Sequence, residues 1–129
     1  MDQEDLVTAM TQTYDVLLIN PPLQKNTGLS RQFRYEHLGL GSLASALRNN
    51  GFSVKVVDAP LLNLTEEDVE LQCERIGSRL IGITLYSVTS ASARKLASHM
   101  KRRSPTPHIA FGGVFSHFPL PRYTKRMEY

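Results

Sequence analysis

Residues Asp15–Pro22 read DVLLINPP, a compact β-branched and leucine run stopped by two prolines. Such a run predicts a buried strand, and Pro21-Pro22 cannot continue a central one. Downstream, Leu38–Asn50 sets Leu40, Leu43, Ala44 and Leu47 on one helical face, with Gly51 in the position that ends helices. Phe52–Asp58 (FSVKVVD) reads as a second strand. Thr65 precedes Glu66, Glu67 and Asp68, an N-cap followed by acids suited to the positive end of a helix. Val69, Cys73 and Ile76 supply the buried face of that helix, which the pattern carries to about Arg79. Leu80–Leu85 (LIGITL) reads as a third strand. A helix over Ser90–Arg103 follows, burying Ala93, Leu96, Ala97 and Met100. His108–Phe111 (HIAF) is a fourth strand, closed by Gly112-Gly113.

The order β-α-β-α-β-α-β, with strands apolar throughout, predicts a parallel sheet with helices on both sides. The connection from Pro21 to His37 exceeds the usual two to six residues of such units, and a loop that long is commonly functional. The chain of 129 residues suits one domain. Its single cysteine excludes an internal disulfide and a cysteine-only metal or iron–sulfur site, and fits a reducing cytoplasm. No apolar run reaches the ~18 residues of a membrane span, and the acidic start MDQED is unlike a signal peptide. A net charge of +3 gives no argument for nucleic acid. The charge is uneven, however. Residues 101–129 hold six Lys/Arg against Glu128 alone, and a basic tail of this kind usually means solvated surface.

In an open parallel sheet, ligands bind beyond the carboxyl ends of the strands. The segments there are Asn20-Pro21-Pro22, Asp58-Ala59-Pro60, Tyr86-Ser87-Val88-Thr89-Ser90 and Gly112-Gly113-Val114. Gly39-Leu40-Gly41-Ser42-Leu43-Ala44 fits the dinucleotide fingerprint G-x-G-x-x-G/A, with Asp58 near the place of the ribose acid. Its glycines begin nineteen residues after Asn20, inside a helical pattern rather than in the turn after the strand. A nicotinamide site is therefore disfavoured. Two readings of these glycines remain: close packing of helix on sheet, or approach of a bulky ligand to the helix start. Ser87, Thr89, Ser90 and Ser92 exceed what capping needs, and their hydroxyls leave room for a planar group with heteroatoms. Gly112-Gly113 implies either a turn or a close backbone approach. His37 and His117 are candidate ligands or acids without a second histidine or carboxylate at metal spacing, and Cys73 reads as core.

Taken in order, DVLLINPP, HLGLGSLASALRNNGFSVKVVDA, LIGITLYSVTSASARKLASHMK and HIAFGG resemble the cobalamin-binding domain that precedes the catalytic barrel in many B12-dependent radical SAM enzymes. The resemblance covers about residues 14–117, leaving 1–13 as an N-terminal extension and 118–129 as a basic tail or truncated fourth helix. It implies a flavodoxin-like (Rossmann-like) three-layer α/β/α domain, here without the fifth strand, holding cobalamin over the carboxyl edge. Asn20, Pro21, Pro22, His37, Leu38 and Gly39 would lie beside the corrin ring. Ser87, Thr89 and Ser90 would line the slot for the dimethylbenzimidazole tail, and Tyr86 would be a further cofactor-binding residue. Gly112, Gly113 and Val114 would let the backbone approach the nucleotide.

Two departures sharpen that expectation. The D-x-H-x-x-G motif, whose histidine ligates cobalt in methionine synthases and mutases, is absent: Tyr35 and Leu40 flank His37, and Phe115 and Leu120 flank His117. The resemblance therefore implies a base-off corrinoid without a protein imidazole and no metal ligand from the chain. One cysteine cannot make the C-x-x-x-C-x-x-C iron–sulfur motif of the radical SAM barrel, so the chain is not catalytic alone. The implied partners are a corrinoid, a radical SAM catalytic domain or chain for methyl transfer, and a second chain pairing with an exposed edge strand. Neither a nucleic acid nor a membrane is among them. The competing expectation is a flavodoxin-like interaction domain, or a degenerate remnant, that binds no cofactor.

Overall fold

The computed structural model describes residues 12–23, 37–86, 89–103 and 107–113. Four strands, β1 (Gln12–Asn20), β2 (Val54–Asp58), β3 (Ile76–Thr84) and β4 (His108–Gly112), form one sheet in the order β2-β1-β3-β4. Every pairing is parallel. Helices α1 (Leu38–Asn49), α2 (Ala59–Leu62), α3 (Glu66–Arg75) and α4 (Ser90–Arg103) fill the connections.

Alternation along β1 divides the core. Leu17 and Ile19 face Val69, Cys73, Ala93, Leu96, Ala97 and Met100 of α3 and α4, while Val16 and Leu18 face Leu40 and Ala44 of α1. Helices therefore cover both faces of a parallel sheet, the flavodoxin-like arrangement with the strand order of that fold. Among the described residues β2 and β4 are the edges, and the α1-side face of β3 and β4 leaves Leu80 and Ala110 exposed. The expected tail or fourth helix at 118–129 lies outside the described residues, as does most of the expected 1–13 extension.

Three expectations are corrected. α3 ends at Arg75, not near Arg79, and β3 starts at Ile76 rather than Leu80. Ile76 mimicked the helical spacing of Val69 and Cys73. Long-range pairing decides otherwise, because Gln12, Thr13 and Tyr14 extend β1 backward and pair with Ile76, Gly77 and Ser78. The short α2, with Pro60 in its first turn, was hidden in an apparent loop. Leu43, expected on the buried face of α1, is 51% exposed; Leu40 and Ala44 do the packing.

The Thr65 cap is a full capping box: Asp68 N–H donates to Thr65 Oγ1 at 3.1 Å, and Thr65 N–H donates to Asp68 Oδ2 at 2.9 Å. Along the seam between α3 and α4, acids four residues apart meet bases four residues apart. Glu66 meets Lys95 at 3.3 Å, Glu70 and Glu74 flank His99 at 3.9 and 3.4 Å, and Glu74 meets Arg103 at 2.6 Å. The Glu66–Lys95 and Glu74–Arg103 pairs are partly exposed and contribute roughly 0.2–1 kcal/mol each.

Candidate functional site at the carboxyl edge

Parallel register brings one residue from each strand into a row across the carboxyl edge. Asn20 pairs with Asp58, Thr84 pairs with Gly112, and the register that sets Ile19 against Ile83 puts Asn20 beside Thr84. The side chains of this row are hydrogen-bonded in sequence. Thr84 Oγ1–H donates to Asn20 Oδ1 at 3.0 Å, and Asn20 Nδ2–H donates to Asp58 Oδ1 at 3.0 Å. The other Asp58 oxygen accepts the backbone N–H of His37 at 3.2 Å. Asn20, Asp58 and Thr84 are all buried, so these bonds are what makes their burial tolerable.

His37 carries the network onward. As the N-cap of α1, its Nδ1 accepts the N–H of Leu40 at 3.0 Å. Its Nε2 lies 2.7 Å from the hydroxyl of Tyr86, with the rings tilted 43° and 5.7 Å apart. Tyr86 in turn is held by Thr89, whose Oγ1 accepts the Tyr86 N–H at 3.2 Å and whose N–H donates to the Tyr86 carbonyl at 3.1 Å. The hydrogen bonds thus close a ring from β3 through β1 and β2 to the start of α1 and back to the segment after β3.

Glycine roles follow from the same geometry. A Cβ on Gly39 would sit 3.1 Å from His37 Cε1, so Gly39 makes room for the imidazole to fold over the helix start. Gly41 meets nothing within 4 Å and lines an open groove, so the helix–sheet packing reading of these glycines does not hold. Gly113 has φ +101°, and a Cβ there would lie 3.2 Å from the Leu85 carbonyl oxygen; its freedom serves the turn after β4. Above Gly112 the space is open.

The structure brings Asn20, Pro21, Pro22, His37, Leu38, Gly39, Tyr86, Thr89, Ser90, Gly112 and Gly113 to this one edge; Ser87, Val114 and His117 lie outside the described residues. Their hydroxyls are not equivalent. Thr89 is buried with its oxygen committed to the backbone of Tyr86, and Ser92 is buried against α3, donating to Glu66 Oε1 at 2.9 Å. The sequence reading missed Asp58 and Thr84 as members of the network. Asp58 stands in the sequence as the end of the second strand and as a false ribose acid, with nothing to mark it as a partner of Asn20. The available signal was that both end strands flanking Asn20.

The edge is rimmed by apolar side chains: Leu38 at the start of α1 is 79% exposed and Leu62 in α2 is 58% exposed, and Leu61 lines the same groove. A groove of about 860 Å³ opens at His37, Leu38 and Asp58 and runs between α1 and α2. A smaller hollow of about 290 Å³, lined by Glu70, His99 and Arg103, lies by the amino end of β3, away from the row. Among the described residues no three His, Cys, Asp or Glu side chains group as a metal site. Cys73 is buried between α3 and the sheet; desolvation, with Glu70 and Glu74 adding to it, pushes its thiol up to about 12.

A doubly wound domain whose carboxyl edge combines a built polar row, an apolar rim and open backbone defines a cofactor-holding α/β module. Residues 25–125 match the model of the B12 binding domain, and the chain belongs to that family. Its cofactor is cobalamin, and the donor set fits it: a broad apolar ring with an amide-bearing rim matches exposed leucines beside a polar hydroxyl. Among solved structures, the radical S-adenosylmethionine methyltransferase TsrM from Kitasatospora setae is similar in fold. With tryptophan substrate and a SAM analog bound it gives a TM-score of 0.58 at 19% identity, over 80% of this chain and 19% of that one. With cobalamin and a [4Fe-4S] cluster bound it gives the same TM-score and identity, over 80% of this chain and 20% of that one. The chain thus spans about a fifth of the length of TsrM. No curated protein matches. No helix among the described residues is long and apolar enough to cross a membrane.

Proposed function

We propose that the chain holds cobalamin base-off and without a histidine ligand to cobalt, positioned for a radical SAM methyl-transfer domain or partner chain. The observation that carries this reading is the double engagement of His37. Both ring nitrogens are occupied within the protein, one by Leu40 N–H and one by Tyr86 Oη. The described edge offers the ring support from Leu38, Leu61 and Leu62. In this reading Asn20–Pro22 and His37–Gly39 lie beside the corrin, Thr89 shapes the tail slot by holding Tyr86, and the turn at Gly112–Gly113 takes the nucleotide end. Ser87, Ser90 and Val114 complete the proposed contacts.

When bound, cobalamin supplies the transferable methyl group; the chain's own residues bind and orient it. The barrel and its iron–sulfur cluster come from other sequence, since this chain has one cysteine. TsrM, a radical SAM methyltransferase whose structure holds cobalamin and a [4Fe-4S] cluster, is the pattern for that division of labour. Loading with hydroxocobalamin followed by desalting tests binding, and electron paramagnetic resonance of the reduced cob(II)alamin complex tests ligation. The expected result is a coloured protein whose spectrum lacks nitrogen superhyperfine splitting. A folded chain that elutes colourless refutes cobalamin retention and favours the interaction-domain reading; nitrogen splitting refutes the base-off, histidine-off state.

A further inference from the structure

We propose that Tyr86 donates a hydrogen bond to an amide carbonyl on the rim of the corrin ring, and that His37 is the positioning residue that turns the Tyr86 proton outward. The inference rests on the cobalamin reading above and names a contact within it.

The hydrogen-bond partners of His37 fix where each proton sits. A backbone N–H can only donate, so the 3.0 Å bond from Leu40 makes His37 Nδ1 an acceptor. The neutral ring then carries its proton on Nε2. That nitrogen lies 2.7 Å from Tyr86 Oη, so the phenol oxygen is the acceptor of this pair. Its own proton is directed away from the imidazole.

The phenol cannot readily turn to another arrangement. Its backbone is clamped by Thr89 from both the N–H and the carbonyl side, and Thr89 is itself buried. The imidazole is clamped as well, through the Asp58 bond to His37 N–H and the cap of α1. Gly39 leaves room for the ring in this pose. Tyr86 is 36% exposed, so the outward proton stands at the surface of the carboxyl edge. Cobalamin carries acetamide and propionamide groups around its ring, and their carbonyl oxygens are acceptors of the kind this donor needs.

The test uses the 129-residue chain, titrated with hydroxocobalamin and with dicyanocobinamide, which keeps the ring amides and lacks the nucleotide tail. Tyr86→Phe is expected to weaken both ligands roughly fivefold, the loss of one neutral hydrogen bond. His37→Asn keeps a good helix cap but cannot reach Tyr86, and is expected to weaken both by a similar factor at unchanged helix content. Because His37 acts only through the Tyr86 hydroxyl, the double variant should bind no more weakly than Tyr86→Phe alone. Wild-type affinity in Tyr86→Phe overturns the proposal, as do penalties that multiply in the double variant. A Tyr86→Phe penalty that vanishes with dicyanocobinamide overturns the ring assignment. A wild-type chain that retains neither corrinoid fails the cobalamin reading and this contact together, whereas retention with indifferent variants fails this contact alone.

Discussion

Asp58 is the position where a small chemical change separates polar satisfaction from simple packing. Its two oxygens accept from Asn20 Nδ2 and His37 N–H, and the residue is buried. Asp58→Leu leaves both donors without an acceptor. An orphaned buried donor costs about 1–3 kcal/mol, so the variant should lose about 2–6 kcal/mol. Asp58→Asn is different, because the row can reverse its polarity. The new amide oxygen accepts the His37 N–H, its NH2 donates to Asn20 Oδ1, and the Asn20 amide turns over to donate to Thr84 Oγ1. Every heavy atom keeps a partner. What is lost is charge assistance in two bonds, roughly 1 kcal/mol each, offset in part by no longer burying a charge. The net loss should be about 1 kcal/mol.

Urea unfolding followed by far-ultraviolet circular dichroism separates the two. With a slope of about 2 kcal/mol per molar, the midpoint should fall by roughly 0.5 M for Asp58→Asn and roughly 1–3 M for Asp58→Leu. For a chain this long the total stability is on the order of 6–19 kcal/mol, so the leucine variant still folds unless the protein sits at the low end. Adding Asn20→Leu to Asp58→Leu should cost less than the sum of the two single changes, because each removes a partner the other would have orphaned. Equal losses for asparagine and leucine at position 58, or no loss for leucine, would refute the network as drawn.

Gly113→Ala should destabilise the chain by about 1–3 kcal/mol in the same assay, since φ is +101° and the added Cβ meets the Leu85 backbone. Wild-type stability would show that the turn relaxes. The buried Cys73 thiol, pushed up to about 12, should react with a disulfide reagent at pH 8 only after unfolding. Because its folded value lies above its unfolded one, its linkage favours the fold below about pH 9 and is lost as pH rises from there toward 12; Cys73→Ala should flatten that alkaline slope. Hydrogen bonds from the Thr65 backbone and side chain hold Asp68 below the usual carboxylate range, and those from Ser53 do the same for Asp15. The stability they contribute is present above the ordinary aspartate range and is lost as pH falls through the lowered folded values. Thr65→Ala should cost about 1 kcal/mol at neutral pH and weaken the acid dependence, read from urea midpoints between pH 3 and 6.

The hydrophobic pattern determined the alternation of strand and helix, because DVLLIN, VKVVD, LIGIT and HIAF are short, largely apolar runs of strand length bounded by turn or helix signals. Thr65 and its three following acids announced their helix, and Ala93, Leu96, Ala97 and Met100 announced the buried face of theirs. These are local properties of the chain, and local properties are readable in one dimension. The turn from α3 to β3 was not readable, since Ile76 satisfies a helical face and a strand equally well and only pairing with Gln12 chooses between them. The candidate site divides in the same way. Position after a strand pointed to Asn20, Tyr86 and Gly112, but the bonds from Thr84 to Asn20, from Asn20 to Asp58 and from Asp58 to His37 join residues 64, 38 and 21 positions apart. Sheet register creates those neighbours. The lone cysteine excluded a cysteine-only metal or iron–sulfur site on this chain from the sequence alone; which hydroxyls are consumed inside the protein was decided only in three dimensions, because a hydrogen bond needs its partner in place before its direction has meaning.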